Sequence, residues 1–483
     1  MSSIKIAKNT LGLSGLQVFI KGLSVLWTFY LARRLGVAGY GLWANILALV
    51  SIFGVLQGFG TLSLVVKDVS QDPARSQKYH ASSLVIYITA SVFAFILIIL
   101  SGFALGYSGD KIRLASVAGL SFLCSAPGLA SQAVLHGHGD FLLYASVYAA
   151  GMILYMALGA AFVESGHGVL GIFYALSIGY GAMAVVLMWK TIKKYGKPVF
   201  EGCLNHARSL AQLGLPLVGS AVLIELMLRA DRLLITRFCG ETAVGYYHAA
   251  FNLVYLPREV VLIPFLTAVY TPLCAYYVQD KDRFHRLFEQ SIVMLLLAAL
   301  PVALFASLFA VPVIALLYGD KYAESGKMLS ILIWMVPPFF VACAWQNILI
   351  MLNRTRTYLW TNFVGMVLNL GLNFWLIPRF GAVGAAVSAV ATQAALMALL
   401  FWVLRDMSLW GFMKRLHRIA GAAAVASLFS FVLWNHIPSS GRFMWTAFVF
   451  AGLALYGLLL WGFNALRPNE VDWLKARLRS RLG

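Results

Sequence analysis

Residues 214–245 read GLPLVGSAVLIELMLRADRLLITRFCGETAVG, a stretch apolar enough to span a membrane that nevertheless holds Glu225, Arg229, Asp231 and Arg232. An ionised side chain at the centre of a spanning helix costs about 3 kcal/mol on insertion scales, so four facing lipid would cost on the order of 10 kcal/mol. We therefore expect these side chains to face protein or a wet cavity. Glu225 and Arg229 are four residues apart on one helical face and can pair. Two interpretations stay open: a structural ion pair that locks two helices, or a polar site near the membrane midplane that handles a charged cargo.

Composition places the rest of the chain in the same environment. The 483 residues are 61% hydrophobic and 11% charged, with a mean hydropathy of +0.82, which is typical of a polytopic membrane protein. The basic start leads into an apolar run that carries Lys21 and shows no cleavage site, so we expect an uncleaved first span. Five widely spaced cysteines predict neither a disulfide framework nor a zinc site. His136, His138 and Asp140 lie in one short turn without a specific ligand pattern, so no metal or other cofactor is predicted.

The net charge of +19 follows from topology rather than from nucleic-acid binding. With a cytoplasmic N-terminus, most lysines and arginines fall in cytoplasmic turns and in the two tails, as the positive-inside rule requires. The sequence therefore predicts a multi-pass membrane protein with both termini in the cytoplasm. Anionic membrane lipids are the expected partners of the basic turns, and nucleic acid is not. The basic tail at 467–483 has leucines at helical spacing and should lie along the inner membrane surface.

The predicted fold is all-α, with about fourteen transmembrane helices. The chain also repeats itself: Arg34-Leu35-Gly36 returns as Arg237-Phe238-Cys239-Gly240, and Gly168-Val169-Leu170-Gly171 returns as Gly381-Ala382-Val383-Gly384. An even number of spans separates the copies, so two six-helix lobes should form a parallel repeat around a central cavity. The predicted divisions are an N-terminal lobe at 1–195, a cytoplasmic linker at 196–211, a C-terminal lobe at 212–408, a further pair of helices at 409–466 and the tail at 467–483.

Several stretches resemble one family. They are LARRLGVAGYG at 31–41, LRADRLLITRFCGETAVGYYHAAFNL at 228–253, LLYGDKYAESGKMLSIL at 316–332 and LNLGLNFWLIPRFGAVGAAVSAVATQ at 368–393. They are similar to polysaccharide flippases, which move O-antigen or exopolysaccharide repeat units and belong to the multidrug, oligosaccharidyl-lipid and polysaccharide exporter superfamily. The resemblance implies alternating access and transport of an undecaprenyl-pyrophosphate-linked oligosaccharide from the cytoplasmic to the periplasmic leaflet. It also implies a monomer of the bacterial inner membrane, with polysaccharide assembly proteins as candidate contacts.

A lipid-linked saccharide needs shelter for its pyrophosphate and its sugar, while its tail can stay in the bilayer. Lys21, Arg229 and Arg258 are the predicted substrate-binding cations, because arginine can bind phosphate through two donors and lysine offers a compact charge. Lys21 falls at almost the repeat-equivalent position of Glu225, so a Lys21–Glu225 pair is a candidate gate. Asp231, Arg232 and Glu259 complete the predicted gating and ion-pair residues.

Two other functions are the alternatives to a polysaccharide flippase. A multidrug exporter of the same superfamily is best served by buried acids, whereas the first lobe carries Lys21 within its first span and no predicted embedded Asp or Glu. A membrane enzyme that polymerises or ligates lipid-linked saccharide would need catalytic groups on an outer domain, and the outer turns are short. The chain has no nucleotide-binding motif, so the energy should come from H⁺, Na⁺ or the membrane potential. A secondary transporter, and not an enzyme, is therefore predicted.

Overall fold

The structure is a computed structural model that describes residues 3–58, 60–405, 413–436 and 444–462. Within these ranges the chain is helical, with short 3₁₀ and π-helical turns and no strand. The predicted all-α membrane architecture is confirmed. The predicted tail at 467–483 lies outside the described residues, as do parts of the predicted helical pair at 409–466.

The chain divides into two compact units, Met1–Gly245 and Tyr246–Gly483, with the boundary inside one long helix. The helices that begin in the first unit are α1 (Ser3–Gly58), α2 (Leu62–Gln71), α3 (Ser76–Ala104), α4 (Gly109–Gly137), α5 (Phe141–Glu164), α6 (Gly168–Tyr195) and α7 (Cys203–Pro257). Those of the second unit are α8 (Ile263–Gln279), α9 (Lys281–Leu308), α10 (Ala310–Tyr318), α11 (Ala323–Leu332), α12 (Val336–Met351), α13 (Thr355–Val403), α14 (Met413–His436) and α15 (Met444–Gly462).

Three long helices bend at a glycine. Gly36 in α1 has φ 70° and ψ 177°, and Gly240 in α7 has φ 82° and ψ 176°. Gly381 in α13 has φ 60° and ψ −144°. Backbone conformations near those of Gly36 and Gly240 are essentially restricted to glycine, because a Cβ would clash with the backbone. The sequence therefore fixes where α1 and α7 bend.

The bends allow one continuous helical stretch to cross a membrane twice. By length and composition, ten helices of the described residues can cross, and three of these stretches, Val18–Gln71, Ala221–Gln279 and Thr355–Val403, hold 54, 59 and 49 residues. A single crossing needs about 20 residues, so each of the three can supply two. The count of about fourteen spans stays a prediction.

Small residues set the helix packing of the first unit. Helices α3, α4, α5 and α6 pack on one another, and α1 lies against all four. A Cβ on Gly128 of α4 would lie 3.1 Å from Ala184 Cα of α6, and one on Gly179 would lie 2.8 Å from Tyr155 Cβ. Lipid offers no hydrophobic drive for helix association, so close backbone approach is what stabilises such contacts.

The second unit contains a helical hairpin. Gly381 turns α13 back on itself, and a Cβ on Gly384 would lie 2.4 Å from the carbonyl oxygen of Leu376. Helix α12 packs on α13, and α14 packs on α9 and α15. The glycine at the turn and the glycine after it together permit the tight antiparallel pairing.

Glycines at repeat-equivalent positions adopt matching conformations. Gly36 and Gly240 have nearly equal φ and ψ. Gly168, which opens α6, has φ 55°, and Gly381 has φ 60°. These pairs are the ones matched by the sequence repeat. They support the duplication, and the arrangement of the chain as two six-helix lobes stays a prediction.

Candidate functional site

The charged stretch of α7 contains an ion pair between Glu225 and Arg229. Arg229 Nε donates a hydrogen bond to Glu225 Oε2, one helical turn earlier. The Arg229 side chain is 31% exposed and that of Glu225 is 25% exposed. The pair is therefore partly accessible although it lies in a segment apolar enough to cross a membrane. A guanidinium has five N–H donors, so Arg229 can bind a further anion while it holds Glu225.

Asp231 and Arg232 differ from that pair because both are buried. Their side chains are 6% and 3% exposed, and Arg232 Nη1 lies 3.8 Å from Asp231 Oδ1. Arg232 Nη1 also donates to the carbonyl oxygen of Leu228 at 3.0 Å, and the Arg232 backbone N–H donates to Asp231 Oδ1 at 2.7 Å. This burial favours a structural role for both residues over direct contact with a cargo.

Lys21 lies on α1, before the bend at Gly36, and its side chain is exposed. Its predicted partner Glu225 is bonded to Arg229 in this structure. The Lys21–Glu225 pair therefore stays a prediction. If it forms, Glu225 must exchange one cation for another or hold both.

Arg258 and Glu259 lie in the second unit, in a π-helical turn at Arg258–Leu262. Pro257 and Pro264 flank the turn, and each removes a backbone donor from the helix, which explains the local widening. Arg258 Nη1 donates to Glu259 Oε1 at 2.5 Å, and its guanidinium lies 5.1 Å from the ring centroid of Tyr255. Both charged side chains are about a third exposed. Since π-turns occur often at functional sites, this position suits a cation that contacts a ligand.

An amide network joins the two halves of α13. Asn369 Nδ2 donates to Thr392 Oγ1 at 3.3 Å, and Asn373 Nδ2 donates to Asn369 Oδ1 at 3.0 Å. Ser388 Oγ donates to the carbonyl oxygen of Asn369 at 3.3 Å. Asn373 is fully buried, and its Oδ1 accepts no hydrogen bond from the described residues. The network therefore presents a buried oxygen that can still accept a donor or a cation.

The turn between α4 and α5 is tied to α3 and α6. Asp140 accepts hydrogen bonds from Lys194 Nζ, at 2.5 Å, and from the Tyr195 hydroxyl. His138 Nε2 lies 2.8 Å from Ser76 Oγ, and its ring stacks on Tyr195 with centroids 3.9 Å apart. These contacts give His138 and Asp140 roles in joining helices. Among the described residues, no group of three or more His, Cys, Asp or Glu side chains is placed to hold a metal.

Burial and nearby charges shift the pKa values of both Asp140 and His138 in this turn. Partial burial raises the pKa of Asp140, but the hydrogen bonds from Lys194 and Tyr195 and the charge of Lys194 offset it, so the net pKa lies below its ordinary value. Partial burial lowers the pKa of His138, and the positive charge of Lys194 lowers it further against the opposing effect of Asp140. The contacts therefore favour an ionised Asp140 and a neutral His138.

The structure also pairs two residues that the sequence analysis did not single out. Lys111 in the first turn of α4 forms an ion pair with Glu241, which follows the bend glycine of α7. The repeat had located Gly240, so it marked one side of this contact. Nothing in the sequence indicated Lys111, because only the fold brings the start of α4 close to Glu241.

Comparison with known families identifies the chain. A family model described as polysaccharide biosynthesis protein matches residues 30–327, more than half of the sequence. The chain belongs to the polysaccharide biosynthesis protein family. The match covers the ion pairs of α7 and the π-turn with Arg258, so the family region contains most of the predicted site.

Individual relatives of this polysaccharide biosynthesis protein are named as transporters. A probable low-salt glycan biosynthesis flippase of Haloferax volcanii is 23% identical over 394 residues, which cover 80% of this chain and 81% of the relative. A putative O-antigen transporter of Shigella flexneri is 24% identical over 385 residues, covering 74% of this chain and 88% of the relative. These names describe flippases and transporters rather than enzymes.

Solved structures show that the fold of this polysaccharide biosynthesis protein is a known transporter fold. The lipid II flippase MurJ in an inward closed conformation superposes with a TM-score of 0.77 at 15% identity, covering 92% of this chain and 97% of that one. An inward-facing multidrug resistance MATE family transporter of the MOP superfamily has a TM-score of 0.63 at 16% identity, covering 81% and 94%. At these identities the likeness concerns the fold alone.

Proposed function

We propose that the protein flips a lipid-linked oligosaccharide across the membrane by alternating access and has no enzymatic activity of its own. The observation that carries this proposal is the partly exposed Arg229–Glu225 pair within a segment that can span the membrane, in a chain whose relatives are named glycan flippase and O-antigen transporter. A cation kept accessible at membrane depth is costly, and an anionic cargo explains why it is retained.

Each of the predicted cations is assigned to a part of the cargo by its chemistry. Arg229 binds the pyrophosphate through its planar guanidinium, and Lys21 adds a second positive charge on α1. Arg258, whose guanidinium lies over the ring of Tyr255, is the predicted substrate-binding cation of the second unit. The undecaprenyl tail stays in the bilayer, where its transfer costs nothing.

Anion binding also supplies a gating step. A phosphate bound to the other donors of Arg229 shares the positive charge with Glu225, so it weakens the Arg229–Glu225 pair. Glu225 then depends more on Lys21 for its counter-charge, so the predicted Lys21–Glu225 pair is strengthened in the loaded state. Release of the cargo reverses the exchange.

A coupling cation is the energy source we favour, and the α13 network supports Na⁺ over H⁺. Its free acceptor is the neutral amide oxygen Asn373 Oδ1, beside Asn369 and Thr392. Hard cations bind such oxygens, whereas a proton needs a titratable group. Asp231 remains the alternative coupling residue, for H⁺.

The surroundings of the protein follow from the same proposal. It lies in the bacterial inner membrane as a monomer, with both termini in the cytoplasm. Its basic turns contact anionic lipids, and polysaccharide assembly proteins are its candidate contacts. The first lobe ends near residue 195, and the linker at 196–211 leads into the second lobe.

Cargo accumulation in cells tests the function. Deletion of the gene should cause lipid-linked oligosaccharide to accumulate on the cytoplasmic face, and a strain with Arg229→Ala should reproduce this. Arg379→Ala is the matched control, because that guanidinium stacks on Trp375 at 4.7 Å with its side chain exposed at the turn of α13. Altered sensitivity to cationic drugs without such accumulation would instead favour the exporter of the same superfamily.

A further inference from the structure

Helices α1 and α7 touch backbone to backbone within the first unit. A Cβ on Gly41 would lie 1.8 Å from the carbonyl oxygen of Glu241, and a Cβ on Gly245 would lie 2.1 Å from the carbonyl oxygen of Val37. In each helix the glycine stands five residues after the bend and the carbonyl one residue after it. The contact is therefore reciprocal, as at an interface with two-fold symmetry.

The contact is closed in this structure. Only hydrogen atoms separate the two backbones at the glycines, so no other side chain fits between them. The residues directly before the glycines, Tyr40 and Val244, are fully buried at 0% exposure. A cargo headgroup could pass between α1 and α7 at this level only if the two helices separated.

An ion pair lies beside this contact between Gly41 and Glu241. Lys111 and Glu241 are joined across α4 and α7, and their side chains are 29% and 27% exposed. Lys111 Nζ also lies 5.7 Å from the ring centroid of Tyr107, whose hydroxyl donates to Asn45 Oδ1 at 3.1 Å. Asn45 lies on α1 just beyond the glycine contact. The pair thus links α7 to α4 and, through Tyr107, to α1.

The Lys111–Glu241 pair is weak enough to break and form again as the contact opens and closes. Partly exposed ion pairs contribute little net stability, because the charges are solvated when they part. Closure here therefore depends on a weak, directional pair.

From these observations we propose that Lys111 and Glu241 form a latch which holds the α1–α7 glycine contact shut, and that the latch opens in each transport cycle. This rests on the proposed flippase function, because only a transporter needs the contact to part. It assigns gating roles to Lys111, Glu241, Gly41 and Gly245.

The accessibility of Val244 tests the latch without any substrate. Val244→Cys is introduced into protein whose five native cysteines are replaced by alanine, and the purified protein in nanodiscs is treated with a membrane-impermeant maleimide. Labelling should be slow when Lys111 and Glu241 are intact. Lys111→Glu and Glu241→Lys should each raise the labelling rate by about fivefold, the factor expected for loss of a partly exposed pair. The double charge swap should return the rate toward that of the intact pair.

A second ion pair of the first unit provides the matched control. Asp140 follows the last turn of α4, about 40 Å along the helix from Lys111, and Asp140→Lys breaks its bond to Lys194. This variant should leave the labelling of Val244→Cys unchanged. The latch would be overturned if all variants were labelled at the same rate or if the double charge swap gave no recovery. It would also be overturned if Asp140→Lys raised the labelling rate as much as the latch variants do. Flipping measured in parallel tests the function separately, so a latch that responds in a protein that moves no cargo would contradict only the proposed function.

Discussion

Arg229 and Glu225 form a hydrogen-bonded ion pair on one face of α7, and both remain about a quarter to a third exposed. The two buried charges that follow, Asp231 and Arg232, bond instead to each other and to the helix backbone. A span of four charges thus separates into an accessible pair and an enclosed one. This separation indicates which of them can meet a cargo.

The accessible pair predicts unequal effects of two substitutions at Arg229. Arg229→Ala should lower flipping by about tenfold or more, since a hydrogen bond to a charged group is worth about 1.5–3 kcal/mol. Arg229→Lys should keep part of the activity, because the charge remains while the planar fork is lost. Initial flipping rates in proteoliposomes measure both. Equal activity of Arg229→Ala and the Arg379→Ala control would contradict the role of Arg229.

The bend glycines predict a conformational penalty. Gly240→Ala should destabilise the protein by about 1–3 kcal/mol, because its φ of 82° and ψ of 176° are essentially restricted to glycine. A Cβ there has no atom within 4 Å, so the penalty comes from the backbone alone. Gly371→Ala is the control: it also has free space but a negative φ inside α13, and alanine should raise stability there. Thermal unfolding in detergent distinguishes the two, and equal melting temperatures would be inconsistent with this reasoning.

The α4–α5 turn predicts a loss of stability on acidification in two steps. His138 has a lowered pKa in the folded protein, so folding favours its neutral form and stability falls as the pH drops below its unfolded pKa of about 6.5. Asp140 also has a lowered folded pKa, so its contribution is full above its unfolded pKa of about 3.9 and is lost as the pH falls through the folded value.

Melting temperatures between pH 4 and pH 8 test the first of these steps. His138→Gln should flatten the decline below about pH 6.5. Asp140→Asn should lower stability by the same amount across this range, because the Asp140 carboxylate is ionised throughout it and its own step lies below about pH 3.9. An unchanged profile in His138→Gln would show that other histidines govern it.

The α13 network predicts the coupling ion. Asn373→Leu removes the buried acceptor while it keeps a similar volume, and it should abolish stimulation of flipping by a Na⁺ gradient. Thr361→Val is the control, because that hydroxyl is buried in the same helix but donates to the carbonyl oxygen of Tyr358. Flipping that responds to a proton gradient and ignores Na⁺ would move the coupling role to Asp231.

The sequence was informative wherever a local rule applied. Residue spacing places Glu225 and Arg229 on one helical face, hydropathy identifies the helices, and the repeat pairs Gly36 with Gly240, whose torsions match. The spacing of residues along one helix could not reveal that Asp231 and Arg232 are buried, since burial depends on neighbouring helices.

Long-range contacts could not be predicted from the sequence either, because they too depend on how the helices are arranged. Lys111 and Glu241 are separated by most of the first unit, and each resembles an ordinary residue near a helix end. Only the fold brings the start of α4 near the bend of α7 and makes them partners. The glycine contact between α1 and α7 is likewise invisible until both bends are in place.

Direct observation of flipping by the purified protein tests the central claim. The protein is reconstituted into vesicles that carry a lipid-linked oligosaccharide with a pyrophosphate head, and a membrane-impermeant glycosidase reports how much sugar has crossed the bilayer. We predict protein-dependent crossing that Arg229→Ala removes and Arg379→Ala retains. Crossing at the rate of protein-free vesicles, under both Na⁺ and proton gradients, would contradict the account.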